Sequence, residues 1–63
     1  MTTQLEPNMF DIRVYDATGA LVGVDPDHRM MLSASKAALQ YLQPDFVVQI
    51  VDADTGDIVL TLA

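Results

Sequence analysis

The chain has 63 residues, no cysteine, one histidine and a net charge of −6. A chain this short forms one domain at most. It lacks the disulfides and the sets of cysteine and histidine zinc ligands that often stabilise small cores. We therefore expect oligomerisation to supply the additional stability. Hydrophobic residues make up 51% of the chain, which predicts a folded domain, and the excess of carboxylates argues against direct nucleic-acid binding.

The N-terminal stretch MTTQLEPN has neither the basic region nor the apolar core of a signal peptide. No segment approaches the roughly 18 apolar residues of a membrane helix. We therefore expect a cytoplasmic protein without membrane contact. Residues 1–8 are predicted to form a flexible polar tail, and residues 9–63 a single small domain.

The next segment, FDIRVYDATGALVGV, is predicted to be a β-hairpin over residues 9–24. Its first half alternates apolar and polar residues, which is the period of a half-buried strand. Gly19 supplies the positive φ that the turn requires. Tyr15 falls on the face turned away from the core, and we take it as a candidate partner contact because tyrosine is enriched at interfaces.

An amphipathic helix is predicted in the middle of the chain, over residues 33–43. Pro44 ends it. Its start is open: Asp25, followed by proline, is one good N-cap signal, and Ser33 is another. The residues from 26 to 32 are accordingly either helical or extended.

The segments FVVQIVD and DIVLTL are predicted to form a second hairpin, which is apolar on both faces. Only one face of a sheet meets the helix in a two-layer domain. The other face, with Val47, Val51 and Val59, is either solvated or covered by another chain, and we interpret it as a candidate partner surface. The complete prediction is an α+β fold of two layers in the order β-β-α-β-β. It has a four-stranded, mainly antiparallel sheet with one helix packed on one face.

The loop of the second hairpin carries Asp52, Asp54 and Asp57 and resembles a calcium loop at first sight. The sixth position of such a loop should be glycine and the twelfth glutamate, but here they are aspartate and alanine. A hairpin turn accounts for the residues better, with Asp54 and Thr55 at its centre and Gly56 in the left-handed conformation. We predict no metal site and no cofactor, and we keep the three carboxylates as candidate partner contacts.

The sequence offers little for catalysis. His28 is the only imidazole, and we expect it in an exposed first turn or loop. No pattern in the sequence brings Ser33 or Ser35 close to it. No glycine-rich phosphate loop is present in the sequence. We therefore predict that the protein is not an enzyme.

The stretch VVQIVDADTGDIVLTL resembles the hairpin of several small bacterial domains, among them the PepSY domain and the flagellar FlaG family. The resemblance covers about a quarter of the chain and specifies the shape of a turn. Both families lack the preceding hairpin, so no function is carried over.

The sequence as a whole predicts a small acidic protein–protein interaction module that forms a homodimer. Its size and charge are also similar to those of phage-encoded inhibitors of host defence, such as anti-CRISPR and anti-restriction proteins. In that alternative the acidic surface binds a basic nucleic-acid-binding protein. A weak cation-binding module that uses the aspartate loops is a further alternative.

Overall fold

The computed structural model describes residues 9–63. The predicted tail, residues 1–8, lies outside the described residues. The five elements of the fold are β1 (Phe10–Tyr15), β2 (Leu21–His28), α1 (Met31–Tyr41), β3 (Val47–Asp52) and β4 (Ile58–Leu62). The strands form one antiparallel sheet in the order β2-β1-β3-β4, and α1 packs against β1, β3 and β2. The predicted α+β fold and its β-β-α-β-β order are confirmed.

The core lies between the helix and the two central strands. Ile12 pairs with Ile50 across β1 and β3, Val14 is paired in the same way with Val48, and all four are buried. The helix meets them with two alanines, Ala34 and Ala38, both fully buried. Alanine has the smallest apolar side chain, so the helix approaches the sheet closely at these positions. Partly buried hydrophobic residues complete the margin of this core: Phe10, Met31, Ala37, Leu42, Phe46 and Leu62.

The helix begins at a different residue from either predicted cap. Its N-cap is Met30, which has an extended backbone and no side-chain capping bond, and the first helical hydrogen bond runs from the Ala34 N–H to the Met30 carbonyl. The predictions of Asp25 and of Ser33 as N-cap are therefore wrong. The reason is tertiary: β2 continues to His28, which pairs with Phe10, so the sheet holds residues that local signals assigned to a helix start.

The helix ends at Tyr41, two residues before the predicted end, and the Leu42 N–H donates to the Leu39 carbonyl there. The described part of the chain contains no helix of sufficient length and apolarity to cross a membrane.

Candidate interaction surfaces

The aspartate loop between β3 and β4 is a hairpin turn closed by its own first carboxylate. The Asp52 Oδ1 atom accepts hydrogen bonds from the backbone N–H groups of Asp54, at 2.8 Å, and of Thr55, at 3.3 Å. Gly56 has a φ of 81° and donates its N–H to the Asp52 carbonyl at 2.7 Å. The Thr55 hydroxyl oxygen accepts from the Asp57 N–H at 3.1 Å. The predicted turn with a left-handed Gly56 is confirmed.

The turn between β1 and β2 is closed in the same way, by an aspartate carboxylate that accepts hydrogen bonds from the turn. The Asp16 Oδ1 atom accepts from the Thr18 hydroxyl at 2.6 Å and from the N–H groups of Thr18 and Ala20, and Gly19 has a φ of 86°. These hydrogen bonds, led by that of the Thr18 hydroxyl, hold the pKa of Asp16 below its ordinary value. The similarity between DATG and DADTG in the sequence thus corresponds to two aspartate-closed turns.

The carboxylates of the loops do not form an evident metal centre. Within residues 9–63, no group of three or more histidine, cysteine, aspartate or glutamate side chains is arranged to hold a metal ion. Asp54 and Asp57 are exposed at one end of the sheet, and Asp52 is partly buried beneath them. Their role as partner contacts stays a prediction.

The face of the sheet turned away from α1, here called the open face, carries a row of apolar side chains. Tyr15 pairs with Val47 on one side and with Leu21 on the other, so three adjacent strands contribute to one row. Leu21 and Val24 are each 52% exposed. The structure therefore brings the predicted contacts Tyr15 and Val47 together. It adds Leu21 to this row and places Val24 on the same face, across from Arg13. Sequence reasoning missed both residues because neither the order of the strands nor the exposure of β2 is visible in the alternation.

Val51 differs from the other predicted contacts because it has almost no accessible surface. It lies between its cross-strand partners Asp11 and Ile58 and is 1% exposed. A side chain buried to this degree within its own domain offers nothing for a partner to touch. Val59, in contrast, is 45% exposed on β4.

Strand β4 forms one edge of the sheet and is the second candidate surface. Its residues IVLTL include no charged residue, proline or glycine. Ile58, Val59 and Leu60 are 57%, 45% and 36% exposed. A bulge at Val59 pairs Ile58 with Val51 and Leu60 with Ile50. Ile58 therefore lies across from the open-face residue Val51, whereas Leu60 lies across from the core residue Ile50.

A cleft between α1 and β2 gathers polar side chains that the sequence placed apart. The Tyr41 hydroxyl donates to Asp25 Oδ2 at 2.8 Å, and His28 Nε2 lies 3.1 Å from the same oxygen. The cleft has a volume of about 440 Å³, and Ser33 and Lys36 also line it. His28 is half-buried at the end of β2, so its predicted position in an exposed turn is wrong.

The cleft lacks the contacts of a nucleophilic site. Such a site needs a nucleophile within hydrogen-bonding distance of a base. In the described residues, Ser33 makes no hydrogen bond to His28. The Nε2 atom of His28 is buried and has no hydrogen-bond partner, because its contact with Asp25 is close in distance but lacks the geometry of a hydrogen bond. The Asp25 carboxylate instead joins the end of α1 to β2 through Tyr41.

Comparison with known proteins finds no protein family, no curated protein and no solved structure that matches this chain significantly. The resemblance to the PepSY and FlaG hairpins therefore stays a resemblance of turn sequence.

The contact between Asp25 and Tyr41 predicts a shifted tyrosine titration. The hydrogen bond from Tyr41 lowers the pKa of Asp25 below 3.8, and the same bond raises the pKa of Tyr41 above 10.0. Ionised Asp25 thus stabilises the fold above pH 3.8, and this contribution is lost as the pH falls through the lowered pKa. Neutral Tyr41 stabilises the fold below pH 10, and its contribution is lost as the pH rises through the raised pKa.

The measurement is the tyrosinate absorbance of the Tyr15→Phe variant, in which Tyr41 is the only tyrosine. We expect a midpoint above pH 10.0 that moves down when Asp25→Asn is added. A midpoint unaffected by Asp25→Asn would show that the hydrogen bond does not set this titration.

Proposed function

We propose that this chain is a non-catalytic protein–protein interaction module that acts as a homodimer. The observation that carries the proposal is the exposed apolar surface of β4, an edge strand without a single charged residue. Monomeric proteins ordinarily protect such edges because unpaired backbone N–H and C=O groups recruit other strands. A second chain that covers β4 removes this liability and adds apolar burial that a 63-residue chain otherwise lacks.

The open face supports the same proposal. Leu21 is half-exposed beside Tyr15 and Val47, and the half-exposed Val24 lies across from Arg13 on the same face, whereas α1 packs over the other face. Aromatic residues surrounded by aliphatic ones are typical of the centres of protein interfaces. This face offers a second contact surface for a further protein, distinct from the β4 edge.

Three of the described aspartates have structural roles. Asp16 and Asp52 close their turns, and Asp25 accepts the hydrogen bond of Tyr41. The Nε2 atom of His28 makes no hydrogen bond to a nucleophile in the described residues. These arrangements favour a binding role over a catalytic one.

The homodimer is tested by light scattering coupled to size exclusion, over concentrations from micromolar to millimolar. We expect a mass that rises toward twice 6.9 kDa. A mass that stays at one chain up to millimolar concentration would overturn the homodimer.

A further inference from the structure

We propose that the second copy binds at β4, and that two β4 strands pair antiparallel about a two-fold axis. The two four-stranded sheets would then join as one sheet of eight strands with both helices on the same face. This inference rests on the homodimer proposed above and names the surface and the geometry that form it. An antiparallel pair of identical strands is isologous, so both copies contribute the same residues and the assembly closes as a dimer.

The two edges of the sheet differ in a way that selects β4. The other edge, β2, contains Pro26, which has no N–H to donate, and Asp27, which has a φ of 71°. Its pairing with β1 also shifts register twice. Proline, charges and bulges are the features by which natural sheets block pairing at an edge. Strand β4 has one bulge, at Val59, and runs in regular register from Leu60 to Leu62.

The charge distribution favours a second copy as the occupant. Two chains that each carry a charge of −6 repel one another, so their contact is favoured where carboxylates are absent. Residues 58–62 are such a stretch, because none of them is ionisable. A basic partner would be drawn to the exposed carboxylates of Asp54 and Asp57, whereas the uncharged strand β4 is matched by another uncharged strand of equal length.

The geometry leaves room for this pairing. Neighbouring strands lie about 4.8 Å apart. Each helix is centred over β1 and β3 of its own copy. In the joined sheet the two helices would therefore be four strand spacings apart, which is about 19 Å. Packed helices approach to about 8–10 Å, so the two helices would not collide.

Strand β2 supplies a matched control for a substitution in β4. Val59 and Val22 are exposed valines on the two edge strands, at 45% and 53%, and each is the extra residue of a bulge. Val59→Asp and Val22→Asp add the same charge to the chain. We expect Val59→Asp to raise the Kd of the dimer at least about tenfold, because pairing at β4 would desolvate the added carboxylate. We expect Val22→Asp to change the Kd by no more than about twofold.

The unmodified chain provides an independent measurement. Hydrogen exchange at micromolar and millimolar concentration should show the amides of residues 58–62 exchanging more slowly at the higher concentration. The amides of residues 21–28 should be unaffected. This result supports pairing at β4 even if Val59→Asp fails to fold, which circular dichroism would reveal.

The outcomes separate the two proposals. A dimer that Val22→Asp weakens more than Val59→Asp, or whose β4 amides show no added protection, would overturn pairing at β4 while leaving the homodimer in place. A wild-type chain that is monomeric at millimolar concentration would overturn both.

Discussion

Replacing Ile50 with alanine is expected to lower the free energy of unfolding by about 2–5 kcal/mol. Ile50 is fully buried at the centre of the sheet, where it pairs with Ile12 of β1 and Leu60 of β4 and belongs to the cluster that α1 covers. The substitution removes three carbon atoms and leaves a cavity. A domain of this length has a total unfolding free energy of about 3–9 kcal/mol, so the expected loss is a large fraction of the total.

The control for this substitution is Ile58→Ala, the same change on the exposed side of β4. Ile58 is 57% exposed, so its truncation should lower the unfolding free energy by less than about 1 kcal/mol. Both variants are compared by urea unfolding, followed by circular dichroism at a concentration where the chain is monomeric. Equal losses for Ile50 and Ile58 would contradict the placement of the core between α1 and the sheet.

Replacing Ala38 with leucine is expected to lower the unfolding free energy by about 1–3 kcal/mol, although leucine is a good helix former. Ala38 is fully buried where α1 meets the sheet, in the same cluster as Val48 and Ile50. A leucine at position 38 needs space that the side chains of the opposing strands occupy. The helix must therefore move away from the sheet. Interiors packed at crystal-like density do not absorb such an increase without strain.

Gln40→Leu is the matched control because Gln40 lies on the same helix and is exposed. Its replacement should change the unfolding free energy by no more than about 0.5 kcal/mol. Thermal and urea unfolding of the two variants give the comparison. If Ala38→Leu proved as stable as Gln40→Leu, the close approach of α1 at Ala38 would be wrong.

The order of the elements could be predicted because it depends on local patterns. Alternation over Phe10–Tyr15 produces a strand wherever one face of that segment is buried, and the 3.6-residue period of the central segment produces a helix in the same way. Gly19 and Gly56 adopt positive φ because their turns require it. These features act within a few residues of the chain, so the sequence alone determined the β-β-α-β-β order and both turns.

The start of the helix and the polar cleft required the tertiary structure. Asp25 has all the local properties of an N-cap, but the pairing of β2 with β1 places it in a strand, where it accepts the hydrogen bond of Tyr41. The two residues are 16 positions apart in the chain, and no local pattern joins them.

The candidate surfaces were decided by the order of the strands. Val47, Val51 and Val59 are equivalent in the alternating pattern, yet Val51 is buried and Val59 is half-exposed. Alternation assigns a residue to a face, but exposure also depends on which strands lie beside it. The order β2-β1-β3-β4 puts Val51 between two neighbouring strands and Val59 on the edge, because long-range hydrogen bonding selects the neighbours of each strand.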